Sequence, residues 1–445
     1  MKDVPQVKVG IMNEPQIHFE FHGDYRVNGH LVNGAHVATV AADMVQWQGL
    51  TAAEKSFEPE DADAASFTLK DVTIGVSFHW RRKENQTFKG ALKLIVENHR
   101  LTAVNVLSVE DYLLSVISSE MSANASLELL KAHAVISRSW LLAQIAKKTD
   151  HAAADVFPDN DPLKAAVDSD DELIKWWDRD DHVNFDVCAD DHCQRYQGIT
   201  RATTEKVAEA IRATWGEVLM YSGELCDARF SKSCGGVFEE FENCWEPQHH
   251  HYLVARRDSE DEMNFPDLTR ESDAEEWILT APKAFCNTRD REILSQVLND
   301  YDQETTDFYR WTVEYTQEQL ADLIRRRTGV DYGRIRDLQP VARGTSGRLY
   351  KLKIVGEKRT RVIGKELAIR YALSESALYS SAFVVERHEV DADGYPAKFV
   401  LRGAGWGHGV GLCQIGAAVM GAKGYDYKKI LLHYFVGAGI EKQYE

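Results

Sequence analysis

The chain has 445 residues, a length that predicts two or three domains or one large domain with insertions. Its 52 Lys and Arg residues against 70 Asp and Glu give a net charge of −18. A surface this acidic repels phosphate backbones and anionic lipid, which argues against nucleic-acid and membrane-surface binding. The sequence has no apolar run of about 18 residues, so it predicts no membrane span. The first residues, MKDVPQVKVGIM, lack the apolar core of a secretion signal, so either the chain is made without a signal or it begins after one.

The first hundred residues are predicted to be rich in β structure. Short runs at 7–12, 18–21 and 92–96 alternate apolar and polar residues with the period of two that half-buried strands show. Glycine and asparagine separate these runs. They indicate a twisted sheet or a small sandwich.

The pattern changes to helical after Leu101. Ser108, with Asp111 three positions later, is typical of a helix N-cap, and Ser126 caps a second amphipathic pattern. Glu120 lies between the two predicted helices. Partial shielding from water there would prepare a carboxylic acid to act as a general acid. The residues by themselves favour the ordinary alternative, a surface glutamate at a helix end.

An acidic segment from Asp150 to Asp191 carries 14 carboxylates and three basic residues, which is typical of a solvated insertion. The later elements that the sequence predicts are a helix over 205–214, a hairpin of strands 217–221 and 226–230 closed by Ser222 and Gly223, a helix near 316–328, and strands near 349–355 and 382–385.

A candidate metal site follows the acidic segment. His182, Cys188 and Cys193 place two thiolates and an imidazole within twelve residues, which fits the tetrahedral preference of zinc. Water, His192 or a distant side chain would supply the fourth ligand. The alternatives are a Cys188–Cys193 disulfide or two buried thiols beside a surface histidine.

Seven cysteines, an odd number, make a complete disulfide framework unexpected. The sequence leaves open whether disulfides form among four of the others: Cys226, Cys234, Cys244 and Cys286.

The segment GAGWGHGVGLCQ, residues 403–414, places five glycines around Trp406 and His408. Such glycines indicate positive φ angles or close backbone approach. The segment lacks the Lys-Ser/Thr ending of a phosphate-binding loop. A tryptophan beside a groove suits the face of a sugar, and His408 or Gln414 could bond hydroxyl groups. Purely structural glycine turns are the alternative.

Together these motifs resemble the SpoIID/LytB family of peptidoglycan-acting proteins. The resemblance extends over nearly the whole chain, from about Val7 to Glu441, except around residues 40–90, 145–180 and 255–335. The segments that carry it are 109–113, 119–121, 130–138, 193–194, 233–236, 403–414, 416–417 and 430–435, with weaker similarity at 346–348, Arg370 and 380–383. The chain departs from the family pattern at His133, Trp140 and Ser231, where Gln, Tyr and His are usual.

The resemblance implies a lytic transglycosylase that acts on glycan strands freed of their stem peptides. Glu120 would protonate the oxygen between muramic acid and glucosamine, and then take a proton from the muramic C6 hydroxyl as a 1,6-anhydro ring closes. The substrate supplies the nucleophile, so a second carboxylate is unnecessary. Two alternatives are an amidase enhancer, which binds the wall and stimulates a separate amidase, and a zinc-stabilised carbohydrate-binding protein.

The same resemblance suggests further site residues. Lys131 and Arg138 would meet the lactyl carboxylate of muramic acid, although a salt bridge from Arg138 to Glu110 or Asp111 is an equal alternative. The other expected substrate-binding residues are Ser233, Arg348, Trp406, His408 and Gln414. Zinc occurs in sporulation members of the family, and His182, Cys188 and Cys193 fit that site. We expect this zinc to hold the cleft in shape rather than to activate water.

The predicted fold class is α+β, with a β-rich N-terminal part and a mixed helical and sheet catalytic region that forms a cleft from discontinuous segments. Glu120 and His408 should then lie within about 15 Å of each other, since one sugar site must reach both. The expected location is the cell envelope or extracytoplasmic space. The predicted regions are 1–100 (β-rich), 101–265 (catalytic, with Glu120 and the zinc candidate), 266–395 (mixed insertion) and 396–445 (Gly-rich, completing the catalytic region).

Overall fold

The computed structural model describes residues 3–74, 82–122, 124–153, 167–176, 182–190, 192–200, 204–260, 264–297 and 305–445. These residues form a mixed α+β protein, as predicted. The chain divides into two compact units: unit 1 contains Met1–Ala153, Arg179–Leu219 and Ile440–Glu445, and unit 2 contains Ala154–Asp178 and Met220–Gly439. The four predicted regions do not follow this division. Among the described residues, no helix combines the length and the apolar character needed to cross a membrane.

The described strands are β1 (Gln6–Glu14), β2 (Gln16–Val27), β3 (His30–Ala41), β4 (Met44–Trp47), β5 (Leu50–Ala52), β6 (Glu54–Pro59), β7 (Ser66–Ile74), β8 (Arg82–Phe88), β9 (Ala91–Glu97), β10 (Arg100–Ser108), β11 (Val167–Asp168), β12 (Glu172–Ile174), β13 (Val187–Cys188), β14 (Glu217–Tyr221), β15 (Glu224–Leu225), β16 (Phe230–Ser231), β17 (Arg310–Thr316), β18 (Ile335–Arg343), β19 (Leu349–Gly356), β20 (Thr360–Gly364), β21 (Phe383–Val390), β22 (Pro396–Ala404), β23 (Leu412–Cys413) and β24 (Gly439–Lys442). The helices are α1 (Val109–Glu120), α2 (Leu127–Ala153), α3 (Glu205–Ala213), α4 (Glu271–Thr280), α5 (Arg291–Val297), α6 (Gln317–Thr328), α7 (Glu366–Ala372), α8 (Gln414–Ala422) and α9 (Tyr427–Tyr434).

Unit 1 contains a sheet in which β1 to β10 and β13 take part. Its N-terminal strands confirm the alternating pattern, since Val7 and Val9 of β1 are fully buried while Lys8 between them is exposed. β13 lies parallel to β1, with Gly10 opposite Cys188. A side chain at position 10 would come within 2.6 Å of the Phe185 ring. Gly10 therefore lets Phe185 pack onto β1 just before the strand that carries Cys188.

Both helix starts predicted for unit 1 are confirmed. The Ser108 hydroxyl accepts a hydrogen bond from the Asp111 N–H and caps α1. The Ser126 hydroxyl accepts one from the Leu129 N–H, at 3.3 Å, at the start of α2. These bonds satisfy amide groups that the first helical turn leaves without partners. Glu120 is the last residue of α1.

A buried ion pair joins α1 to α2. Arg138 Nε and Nη2 donate to the two carboxylate oxygens of Glu110 at 2.9 and 2.8 Å, and neither side chain is more than 3% exposed. Arg138 Nη1 also donates to the Glu217 carbonyl. Glu110 accepts further bonds from the Tyr444 hydroxyl and the Gly216 N–H. The pair therefore ties both helices to the start of β14 and to the C-terminal residues of unit 1.

Unit 2 contains a sheet in the order β11-β12-β20-β19-β18, an antiparallel sheet β17-β22-β21, and a short parallel pair of β16 with β23. Its core includes Trp311, Leu352, Ile354 and Phe399. The predicted helix near 316–328 is α6, which Thr316 and Gln319 cap reciprocally. The predicted strands near 349–355 and 382–385 correspond to β19 and β21.

Two predictions need correction in this unit. The hairpin closed by Ser222 and Gly223 returns through β15 rather than through residues 226–230, and Met220 pairs with Leu225.

The acidic segment is not only a solvated insertion. Its residues 167–174 form β11 and β12, and β12 pairs with β20. Carboxylates of this segment meet arginines and a lysine of the same sheet: Asp168 with Arg361, Asp170 with Arg359 and Glu172 with Lys351. Residues 154–166, 177–181 and 191 of the segment lie outside the described residues.

The Arg138–Glu110 pair predicts a large stability effect. Arg138→Met leaves the Glu110 charge buried without its partner, and we expect it to destabilise unit 1 by about 3–5 kcal/mol. Urea unfolding, followed through hydrogen exchange of the α1 and α2 amides, measures the change. Lys131→Met is the control, because Lys131 pairs with Glu128 near the surface of the same helix and exposed pairs contribute only about 0–1 kcal/mol. Equal effects of the two changes would contradict the structural role of Arg138.

Candidate functional site

Glu120 is half-buried and held by a backbone donor. The Arg195 N–H donates to Glu120 Oε1 at 3.2 Å. Arg195 lies two residues after Cys193, so the loop that carries the candidate metal ligands also orients the carboxylate. Glu120 also keeps partial exposure at the end of α1, which is compatible with the ordinary alternative of a surface glutamate at a helix end.

His182, Cys188, His192 and Cys193 bring one potential ligand atom each into a group whose members lie within 4.8 Å of one another. His192 Nδ1 is 3.5 Å from the Cys193 sulfur and 3.9 Å from the Cys188 sulfur. No disulfide joins any of the seven cysteines, all of which lie in the described residues. The sequence proposed the first, second and fourth of these residues, and the structure adds His192 from among the candidates for the remaining position.

The contacts of this group fit a bound cation. His182 Nε2 is buried and has no hydrogen-bond partner among the residues that the structure describes. The bond with Cys193 and burial raise the pKa of the Cys188 thiol to about 11. Without a metal, the buried imidazole nitrogen and the neighbouring thiols are both energetically unfavourable. A buried imidazole nitrogen needs a hydrogen-bond partner, and adjacent thiols resist ionisation. A divalent cation would accept the imidazole lone pair and stabilise both thiolates.

Tyr112 connects the metal group with Glu120. Its hydroxyl donates to Gln194 Oε1 at 3.2 Å. Burial raises the pKa of Tyr112 well above its ordinary value, and the nearby charges of Cys193, Cys188 and Glu120 raise it further. Tyr112 therefore stays a neutral donor beside all three groups. In the sequence, Tyr112 belongs to the segment 109–113 that carries the family resemblance, but no motif there points to its contact with Gln194.

The structure gives different surroundings to the two cations proposed to bind the lactyl carboxylate. Lys131 forms an ion pair with Glu128 at 2.7 Å and its side chain is 18% exposed. Arg138 has no exposed surface and pairs with Glu110, which was the alternative left open by the sequence. A guanidinium enclosed in this way positions helices and does not reach a substrate.

In unit 2, the Gly-rich segment is held mainly by Arg348. This side chain is 1% exposed and donates to the carbonyl oxygens of Ser233, Cys234 and Gly407. A Cβ at Gly405 would lie 2.7 Å from the Arg348 guanidinium, and a Cβ at Gly409 would overlap the same guanidinium. Both glycines also have positive φ angles. The glycines therefore allow the backbone to close around a buried arginine, in agreement with the structural alternative.

Trp406 is half-buried between two aromatic rings, with centroid distances of 4.7 Å to Phe308 and 4.2 Å to Tyr379. Its backbone N–H donates to the Ser233 carbonyl, and the Ser233 N–H donates back to the Trp406 carbonyl. Ser233 itself is fully buried, and Gln414 is buried at the start of α8. Of the expected substrate-binding residues in this unit, Trp406 and His408 keep partial exposure, whereas Ser233, Arg348 and Gln414 are enclosed.

His408 is held as a neutral ring. Burial, together with the charges of Arg229, Arg348 and Arg370, lowers its pKa well below the ordinary value. Its Nδ1 accepts from the Val410 N–H at 3.0 Å, and the ring also hydrogen-bonds with the Phe230 backbone. His408 therefore does not act as a cation near neutral pH.

A buried carboxylate that the sequence did not reveal anchors the same segment. Glu239 is fully buried and accepts hydrogen bonds from the backbone and hydroxyl groups of both Thr345 and Ser346, while its own N–H donates to the Gly409 carbonyl. Glu239 follows the Gly235-Gly236 pair, but neither a charged residue nor a glycine pair by itself signals burial.

Glu120 belongs to unit 1 and the Gly-rich segment to unit 2, so the common cleft within about 15 Å stays a prediction.

Comparison with known proteins identifies two family matches. Residues 97–221 match the family described as Stage II sporulation protein, SpoIID, and residues 239–411 match a family described as a domain of unknown function. The first match contains Glu120 and the candidate metal group. The resemblance predicted from the motifs is confirmed for residues 97–221, and this match does not extend to the Gly-rich segment 403–414.

Three relatives are similar at low identity. An uncharacterized protein of Brachyspira hyodysenteriae is 24% identical over 79% of this chain and 72% of its own length. The Stage II sporulation protein D of Bacillus amyloliquefaciens is 22% identical over 76% of each chain. An amidase enhancer of Bacillus subtilis is 26% identical over 52% of this chain, and the match spans 32% of that relative.

The packing role of the Gly-rich segment can be tested by two matched substitutions. Gly409 and Gly424 have φ angles of +80° and +86°, but only Gly409 is near other atoms, those of Arg348. Both Gly→Ala changes incur the cost of a left-handed backbone, about 1–2 kcal/mol. We expect Gly409→Ala to destabilise unit 2 by about 1–3 kcal/mol more, because Arg348 must move. Urea unfolding of both variants measures the difference. Equal destabilisation would mean that the approach of Arg348 contributes nothing.

Proposed function

We propose that this SpoIID-domain protein is a peptidoglycan lytic transglycosylase with Glu120 as its catalytic acid and base. The observation that carries the proposal is the setting of Glu120: a half-buried carboxylate at the end of α1, with Oε1 fixed by the Arg195 N–H. In this proposal the Arg195 N–H holds Oε1, and Oε2 takes part in the proton transfers. That oxygen is the one that would carry the proton.

The proposed reaction uses that oxygen twice. The Oε2 proton passes to the glycosidic oxygen between muramic acid and glucosamine, the C1–O bond breaks, and the sugar gains oxocarbenium character. The resulting carboxylate then takes the proton of the C6 hydroxyl as this oxygen closes on C1. The products are a 1,6-anhydro end and a new glucosamine hydroxyl, and Glu120 is again protonated. No water enters the reaction, so a single carboxylate suffices.

The cation proposed for His182, Cys188, His192 and Cys193 is zinc, in a structural role. Four protein ligands close a zinc site, and a closed site holds structure rather than activating water. Its place in the proposal is to fix the loop from Cys188 to Arg195, which supplies the N–H that orients Glu120. Tyr112, bonded to Gln194 of the same loop, supports that position.

The substrate class follows from the charged and aromatic groups that keep exposure. Lys131, one turn along the helix after Glu128, is proposed to meet the lactyl carboxylate that a peptide-free muramic acid presents. Trp406 and His408 are proposed to contact sugar rings and hydroxyls within unit 2. Arg138, Ser233, Arg348 and Gln414 are assigned to positioning, since they are buried. The proposed place of action is the cell envelope, where glycan strands occur.

A second candidate function is an amidase enhancer that binds glycan strands and stimulates a separate cell-wall amidase. The observation that favours it is the similarity to the Bacillus subtilis relative of that name. The two functions differ in what they require of Glu120. An enzyme needs its acid, whereas an enhancer needs only a binding surface.

The first experiment is incubation of the protein with peptide-free glycan strands and mass spectrometry of the ends. We expect 1,6-anhydromuramic ends, and a loss of about 10²–10⁴-fold in their rate of formation for Glu120→Gln, because general acid–base catalysis contributes that much. Glu205→Gln is the control, an exposed glutamate of unit 1 that pairs with Arg212 at the surface. Reducing ends instead of anhydro ends would contradict the mechanism. Absence of cleavage with retained strand binding and stimulation of an amidase would favour the enhancer.

The role of the metal group predicts a second result. Cys188→Ser combined with Cys193→Ser removes both thiolates, and we expect one equivalent of bound zinc to be lost. The rate of anhydro-end formation should fall as well, with binding of strands less affected, because the loop then holds Glu120 less firmly. Metal content by inductively coupled plasma mass spectrometry and the same end-group assay measure the two effects. Unchanged activity with complete loss of that zinc would remove the metal from the mechanism.

A further inference from the structure

A second group of potential metal ligands lies in unit 2, formed by Cys234, Asp258, Cys286 and Cys413. One ligand atom of each lies within 4.8 Å of the others, and all four residues are buried. Asp258, Cys286 and Cys413 have no exposed surface, and Cys234 is 2% exposed. The four come from distant parts of the sequence, so no linear motif announces them.

The distances agree with ligands around a single ion. The sulfurs of Cys234 and Cys286 are 3.5 Å apart, much longer than a disulfide bond of about 2.05 Å. A tetrahedral zinc site with metal–sulfur bonds of about 2.3 Å places neighbouring sulfurs about 3.8 Å apart. With a carboxylate oxygen at about 2.0 Å from the metal, the sulfur–oxygen distance becomes about 3.5 Å. The Cys234 sulfur lies 3.5 Å from Asp258 Oδ2.

The surroundings of the group resemble a supporting shell for such ligands. The backbone N–H groups of Cys234 and Gly236 point to the sulfurs of Cys413 and Cys234, at 3.3 and 3.4 Å. Asp258 Oδ1 accepts from the Tyr434 hydroxyl at 3.1 Å and lies 3.4 Å from His433 Nε2. Outer groups that engage the second oxygen of a ligating carboxylate fix its orientation.

The burial of these acidic groups also favours a cation. Three thiol groups and one carboxyl group lie together here, and none of the four residues is more than 2% exposed. Several acidic ligands enclosed together are stable when a divalent ion binds and deprotonates the remaining thiols.

We propose that Cys234, Asp258, Cys286 and Cys413 bind a structural zinc ion at the base of the Gly-rich segment. Three thiolates and one carboxylate match the soft, tetrahedral preference of Zn²⁺. Because the ligand atoms lie close together, they suit one ion rather than a multi-iron cluster, whose ligands bind different metal atoms.

The metal would act as a cross-link in unit 2. Cys413 ends β23 and precedes α8, whereas Cys234 lies in the turn after β16, the parallel partner of β23. Asp258 and Cys286 come from two loops elsewhere in the unit. One ion would therefore hold four segments together beside the carbonyls that Arg348 gathers from Ser233, Cys234 and Gly407. This inference does not depend on the transglycosylase proposal.

The test uses the full chain with Cys188→Ser and Cys193→Ser, which leaves the unit 2 group intact. We expect the folded double variant, purified under reducing conditions, to bind one zinc per chain. Replacement by cobalt should give the charge-transfer and d–d absorption of tetrahedral thiolate coordination. Adding Cys234→Ser and Cys286→Ser should abolish both signals. A folded double variant that binds neither metal would overturn the proposal, as would a Cys234–Cys286 disulfide detected by peptide mass spectrometry.

A milder variant guards against misfolding. Tyr434→Phe removes only the hydroxyl that donates to Asp258 Oδ1, and loss of such an outer partner typically lowers metal affinity about 10–100-fold. Tyr315→Phe is the matched control, since its hydroxyl donates to the Leu373 carbonyl in the same unit. Competition with a chelating dye measures both affinities in the background of the double variant. Equal zinc affinity in the two Tyr→Phe variants would contradict Asp258 as a ligand.

Discussion

Unit 1 depends on the buried pair of Arg138 and Glu110. Removing two charges from water is costly, and the cost is met only when geometry and hydrogen bonding are complete. Here the pair is bidentate, and Glu217, Gly216 and Tyr444 contribute three further hydrogen bonds to it. The ion pair fixes α1 against α2 near the N-terminal end of α1. The position of Glu120 at the other end of α1 follows from that constraint.

The loop from Cys188 to Gln197 supplies the second constraint on Glu120. Its start is part of β13 and so belongs to the large sheet, while the Arg195 N–H binds the carboxylate and the Gln197 N–H bonds to Ser115 of α1. A metal in the group of His182, Cys188, His192 and Cys193 would make this loop rigid between β13 and the hydrogen bonds that Arg195 and Gln197 form with α1. Metal binding and orientation of the carboxylate are thus properties of one short segment.

Buried charged groups also hold the segments of unit 2 together. Arg348 and Glu239 are charged residues that the fold encloses, and each is satisfied by backbone groups of the segments it joins. The glycines at 405 and 409 are needed because the Arg348 guanidinium occupies the space of a Cβ. A motif that looks like a binding loop is therefore in large part the consequence of a buried cation. The partial exposure of Trp406 and His408 is what remains available for a ligand.

The sequence by itself determined the SpoIID resemblance of residues 97–221, the mixed α+β class, the caps of α1 and α2, and the grouping of His182, Cys188 and Cys193, because these depend on local patterns and short spacings. It left open whether Arg138 binds the substrate or forms a salt bridge, and it favoured sugar binding by the Gly-rich segment. Only the tertiary structure decided that Arg138 is enclosed by Glu110, that Arg348 fills the space beside Gly405 and Gly409, and that Cys234, Asp258, Cys286 and Cys413 meet. The physical reason is the same in each case. Burial and the convergence of distant segments arise from packing over long sequence separations, which no local period or spacing records.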